Sequence, residues 1–90
     1  MWVKAQDGSL INLDRIIGVE QRKGEDATKI YATMCIDYED SNCMISYNLG
    51  TYSTERKARN VMNAIARGII DDSKLFYMPP QEMKRDANEP

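Results

Sequence analysis

Between Lys29 and Tyr38 the side chains alternate with period two. Ile30, Ala32, Met34, Ile36 and Tyr38 fall on one face and Lys29, Tyr31, Thr33, Cys35 and Asp37 on the other. Ten residues of strict alternation predict a strand with one face buried and one face wet. Glu39-Asp40-Ser41-Asn42 follows, a cluster of turn formers whose short polar side chains bond to nearby backbone. Cys43, Ile45, Tyr47 and Leu49 then form the apolar set of a returning strand, now on odd positions. With Asp40 and Ser41 at the tip, Tyr38 faces Cys43, Ile36 faces Ile45, Met34 faces Tyr47 and Ala32 faces Leu49. Every pair is apolar against apolar, and a slip of one residue would turn one apolar set toward water.

The flanking segments extend this pattern. Ile17 and Val19 alternate with Gly18 and Glu20, which sets Val19 against Ala32 and Ile17 against Met34 on the same face. Upstream, Trp2-Val3-Lys4 and Leu10-Ile11-Asn12 bracket Gln6-Asp7-Gly8-Ser9, and Asp-Gly between apolar runs signals a hairpin. The expectation is an antiparallel meander of four to five strands, at about 1–5, 9–12, 16–22, 28–38 and 43–49. A helix follows over 54–70, capped by Ser53 or Thr54 with Glu55 in its positive first turn. Ala58, Val61, Met62, Ile65, Ala66, Ile69 and Ile70 recur at spacings of three and four, one apolar stripe. Glu55 and Arg59 stand at i,i+4, the spacing of a favourable pair. Asp71-Asp72 opposes the carbonyl end of the dipole and ends the helix.

Leu75 to Met78 reads as an extended segment anchored on the sheet or the helix. Residues 81–90 contain one sizeable apolar side chain, Met83, and read as a disordered tail. A chain of 90 residues supports one core, so residues 1–80 form a single globular domain. The fold class is α+β, with the C-terminal helix laid over the face built from Val19, Ile30, Met34, Ile36, Ile45, Tyr47 and Leu49. A pleckstrin-homology-like half-barrel is the nearest familiar shape, by analogy.

Composition restricts the chemistry. The chain has no His, so the commonest general base and metal ligand is missing. Ser, Thr and Cys have no such base to activate them, and no Gly-x-Ser-x-Gly elbow occurs. Nearly all the acids lie in expected turns, at helix ends or in the tail, where burial cannot separate their pKa values. The expectation is a protein without catalytic residues, metal or cofactor. Its rival, a metal- or thiol-dependent enzyme, needs Cys35 and Cys43 side by side, whereas the expected register sends them to opposite faces. An acidic site at Asp37, Glu39 and Asp40 reads as a solvated hairpin tip. No secretory signal opens the sequence and no run reaches the roughly 18 apolar residues of a bilayer span, so a soluble cytoplasmic protein with no membrane partner is expected.

The net charge is −2, which argues against nucleic acid as a partner. Within that acidic chain the helix carries Arg56, Lys57, Arg59 and Arg67 against Glu55 alone. Its polar face, Arg56, Arg59, Asn60, Asn63 and Arg67, is either an ordinary solvated face or a stripe that docks an acidic protein. A second candidate runs from strand to helix start: Thr51, Ser53, Thr54 and Lys57, with the free amides there, have the donors for a phosphorylated small molecule or nucleotide. Lys57 follows the hydroxyls instead of preceding them, unlike a Walker loop, and plain capping explains the same residues. An open sheet edge also allows a homodimer.

Three stretches carry a resemblance: residues 1–12, opening Met1-Trp2-Val3-Lys4-Ala5-Gln6-Asp7-Gly8; Leu49-Gly50-Thr51-Tyr52-Ser53-Thr54-Glu55 leading into the helix; and Phe76-Tyr77-Met78-Pro79 after it. Over residues 1–80 the chain resembles a group of short proteins of Firmicutes and their phages. The group brings no activity and no site residue to transfer. The resemblance implies a prophage or mobile-element setting, where compact non-catalytic proteins occupy a host defence or regulatory protein, or a signalling molecule.

Overall fold

The computed structural model describes residues 1–38 and 41–81, and within them the side chains of 1–35 and 44–81. In chain order these form β1 (Trp2–Lys4), β2 (Leu10–Asn12), a 3-10 turn (Leu13–Arg15), β3 (Gly18–Lys23), β4 (Thr28–Tyr38), β5 (Ser41–Tyr52), α1 (Glu55–Ile70) and β6 (Leu75–Tyr77). The class is α+β, but the strands do not make one meander. They form two three-stranded sheets, β2-β1-β6 and β3-β4-β5. The half-barrel analogy falls with the meander. Its physical reason is β6: Leu75 to Tyr77 lies parallel to β1, Val3 opposite Phe76, while β2 lies antiparallel on the other side. With both edges of β1 occupied, the first hairpin closes its own sheet. The crossover that parallel pairing requires includes α1.

The Asp-Gly turn forms as its chemistry dictates. Gly8 takes φ +95°, Asp7 Oδ1 accepts from the Ser9 amide at 2.9 Å, and the Ala5 amide reaches Ser9 O at 2.8 Å. In the long hairpin the register differs from expectation by two residues. Ala32 pairs with Tyr47, Met34 with Ile45, Ile36 with Cys43 and Tyr38 with Ser41. A two-residue displacement preserves the parity of a pleated strand, so apolar matching alone cannot separate the two registers. Residues 39 and 40 of the expected tip, and with them the acidic cluster, lie outside the described residues.

Leu49 is an extra residue in β5, because Tyr31 pairs with Asn48 and Ile30 already with Gly50. Such a bulge reverses the inward parity of the strand beyond it. Tyr52, an even residue in a strand whose inward set is odd up to the bulge, is therefore turned into the core and is 2% exposed. The strand continues to Tyr52 instead of stopping at Leu49. Val3, Ala5, Ile30, Ala32, Leu49, Tyr52, Ala58, Val61, Ile65 and Met78 make up the core. Of the expected core face, Met34 and Ile45 are only half-buried and Tyr47 is exposed. β3 stops at Gly18, opposite Thr33, so β4 and β5 run on beyond it as a two-stranded ribbon. Ile17 lies outside β3 and is 62% exposed, off the core face.

Thr54 caps α1, its hydroxyl accepting from the Lys57 amide at 3.1 Å. The buried stripe is Ala58, Val61, Ile65 and Gly68, narrower than the apolar pattern and rotated from it. The reason is Gly68: a methyl group there would lie 3.5 Å from the Met1 sulfur and 3.7 Å from the Phe76 ring, so the helix seats its last turn by that face. Ala66, Ile69 and Ile70 are left outside. Asp72 ends the helix in the left-handed region at φ +60°, while the Ser73 amide reaches back to Gly68 O at 2.9 Å.

Gln6 joins the two sheets. Its side-chain oxygen accepts from the Thr51 amide at 2.8 Å and its amide nitrogen donates to Pro79 O at 2.9 Å. The buried Tyr52 hydroxyl donates to the same Pro79 oxygen at 2.6 Å.

Candidate functional site

Because Ala58, Val61, Ile65 and Gly68 face the core, the opposite side of α1 is presented to solvent. Arg56, Arg59, Asn60, Asn63 and Arg67 are all exposed there, together as the spacing predicts. The expected Glu55–Arg59 pair does not form: Glu55 lies 3.9 Å from the Lys23 ammonium, across the start of the helix. Among the described residues the other ion pairs are Met1 amine with Asp14 and Arg22 with Glu20. None neutralises Arg56, Arg59 or Arg67. Ile70 is 81% exposed. On an ideal wheel of about 100° per residue it falls between Arg59 and Asn63, so the cationic face contains one bare aliphatic side chain. The helical pattern hides this, because its seven apolar positions form one stripe that spans half the wheel. That excess width was the signal.

The alternative anion site is not assembled in the same way. The cavity beside the helix start, about 250 Å³, is lined by Ser53 and Thr54 but also by Glu25, Asp26 and Glu55, and neither Thr51 nor Lys57 lines it. The Thr54 hydroxyl is engaged by the Lys57 amide and the Thr51 amide by Gln6. Lys23 also lines the opening but is held by Glu55, so Glu25 and Asp26 leave it net negative, which disfavours a phosphate.

Chemistry elsewhere is sparse. Among the described residues no group of three or more carboxylate or thiol side chains is placed to hold a metal ion. Cys35 is exposed and pairs with Met44, displaced like the rest of the hairpin by two residues from the expected register. The Cys43 side chain lies outside the described residues, and with it the expectation that the two thiols face apart. On the outward sheet face Thr33 and Ser46 share a hydrogen bond at 3.1 Å, and the Arg22 guanidinium stacks 4.4 Å from the Tyr31 ring. Those polar groups satisfy one another. Among the described residues, no helix is long and apolar enough to cross a membrane.

The chain matches no family of proteins, no curated protein and no solved structure. The outer face of α1 is thus the strongest candidate on its own physical merits: a capped helix carrying three unneutralised cations along one side, with an exposed isoleucine one turn beyond Arg67.

Proposed function

We propose that this protein is a non-catalytic binding protein that docks an acidic surface of another protein through Arg56, Arg59, Asn60, Asn63 and Arg67. The observation that carries the reading is the absence of ion-pair partners for the three arginines among the described residues, in a chain whose net charge is −2. Cations that the fold does not consume steer encounter with an acidic partner and reject cationic ones. Ile70 adds an apolar anchor that becomes fully desolvated in a complex, the environment in which binding energy concentrates. The resemblance to short proteins of Firmicutes and their phages supplies the setting: a cytoplasmic partner of the host, serving defence or regulation, which the bound protein inhibits by occupancy.

The test is partner capture by wild type and by the pair Arg59→Glu with Arg67→Glu, followed by identification of the bound protein and a salt titration. Both arginines are exposed, so the fold survives within about 0.5 kcal/mol. We expect capture to weaken roughly tenfold or more in the variant, and wild-type binding to fall as salt shortens the range of the charges. Equal capture by both proteins refutes the reading. Thermal melting with nucleotides addresses the anion alternative, since a ligand at 100 times its Kd adds about 2.7 kcal/mol. No shift is expected.

A further inference from the structure

Among the described residues the two sheets leave four strand edges, and three of them are guarded. β2 and β6, the outer strands of one sheet, are three residues long each. β3, an edge of the other sheet, carries Glu20, Arg22 and Lys23. Short edge strands and charged side chains are the usual devices against pairing with another chain. β5, the fourth edge, has neither. It runs from Ser41 to Tyr52, and no charged residue occurs between Ser41 and Thr54.

The far part of that edge is covered. The Gln6 amide donates to Leu49 O at 2.9 Å, and the Thr51 amide to the Gln6 side chain at 2.8 Å, so Gln6 closes β5 from its bulge onward. Ahead of Leu49 no strand lies beyond β5 among the described residues, and Met44, Ser46, Tyr47 and Asn48 are exposed. A strand so placed presents a row of backbone N–H and C=O groups without partners. What satisfies such a row is the backbone of another extended strand. Ser41 to Ile45 also belong to the ribbon that outruns β3, and a two-stranded ribbon is marginal until a third strand joins it.

We propose that this edge pairs antiparallel with the same edge of a second copy, forming a two-fold symmetric dimer. The lack of charge makes the edge self-complementary. A two-fold brings equivalent side chains together, and like charges set opposite one another would repel. The pairing that uses the whole of Ser41–Tyr47 centres on Met44, which then lies opposite Met44 of the other copy. It stops short of Leu49 and keeps odd residues opposite odd ones. Ile45 and Tyr47 of both copies therefore share one face of the joined sheet, and both copies of α1 stand on that side. The contact runs about 24 Å at roughly 3.4 Å per residue. It is at the small end of specific interfaces, so the dimer is reversible. No residue of α1 takes part, and the docking reading above stands or falls separately.

Sedimentation of the full chain from about 10 µM to about 1 mM tests the assignment. Wild type is expected to pass from monomer to dimer over that range, with slowed amide hydrogen exchange in Met44–Asn48 of the dimer. Met44 is 60% exposed, so Met44→Lys and Met44→Glu should fold as wild type does, which thermal melting verifies. Each variant alone is expected to raise the dimer Kd about tenfold or more. An equimolar mixture of the two should recover the dimer, because Lys then faces Glu. A wild type that stays monomeric throughout overturns the proposal. So does a dimer that both variants retain, a mixture that fails to recover it, or an open-ended assembly in place of a closed pair. Slowed exchange in Met44–Asn48 only when a captured partner is bound also overturns it, making the partner's strand the occupant.

Discussion

Gly50 has no room for a methyl group: a Cβ there would lie 2.9 Å from the Tyr52 hydroxyl and 3.1 Å from Gln6 Cδ. That close approach lets Gln6 and Tyr52 converge on Pro79 O. Tyr52→Phe removes one donor from a nearly dry site, and we expect a loss of roughly 0.5–1.5 kcal/mol, read as a fall in Tm of about 4–8 °C per kcal/mol for a domain of this size. Burial raises the Tyr52 pKa above its ordinary 10.0, against a smaller opposing effect of Gln6. The unfolded chain therefore releases this proton first. Stability carried by the neutral phenol is intact below pH 10 and is lost as pH rises beyond it, so wild type should lose stability more steeply than Tyr52→Phe above that pH in alkaline melts. Asp72 gives a prediction of opposite sign. Its left-handed backbone costs a residue with a Cβ roughly 1–2 kcal/mol, of which Gly would return about 0.4–1 kcal/mol in unfolded-state freedom. Asp72→Gly also removes a negative charge from the helix C-terminus, and a rise in Tm is expected.

At the scale of elements, the strands and the helix were legible because their periods were. Lys29 to Tyr38 alternates without exception, and Thr54 precedes an apolar period of three and four. What the periods could not report was how far each apolar face would be covered. The distinction between Ile65 and Ile70 is the clearest case, since both belong to one sequence pattern. Gly68 seats α1 on Met1 and Phe76, which buries Ile65 and bares Ile70. Ile65→Ala should cost about 2–5 kcal/mol, whereas Ile70→Ala should stay within about 0.5 kcal/mol; denaturant unfolding of the two variants checks the contrast. The polar residues of the outer face of α1 were equally legible, because they are what remains when apolar positions are removed from the wheel. The exposed Ile17, Ile69 and Ile70 were not, since an apolar residue in sequence carries no mark that tertiary packing will leave it exposed.

For the whole molecule, the sequence supported one core but not the division into two sheets. Leu75 to Tyr77 is too short to declare a partner, and its parallel union with β1 is set by where α1 delivers it. The register of the long hairpin was ambiguous for a related reason, since pairings two residues apart satisfy the same apolar matching. The result is an elongated molecule of 55 × 32 × 21 Å with a radius of gyration of 14.5 Å, against about 12 Å for a compact chain of this length. Solution scattering should return the larger value. Replacing residues 35–44 by a tight Asn-Gly turn should move it toward the smaller one. The core beneath α1 does not use Met34 or Ile45, so that shortened protein should melt within a few degrees of wild type.

The pairing of β1 with β6 also has a temporal meaning. A ribosome that has delivered Trp2 to Lys4 must still make every residue from 5 to 74 before the parallel neighbour of that strand, β6, begins to emerge. Until then β1 has one flank bare, an invitation to other unfinished chains. A polypeptide cut short ahead of Leu75 would leave the β2-β1 pair with an open edge, the kind of edge that recruits other chains.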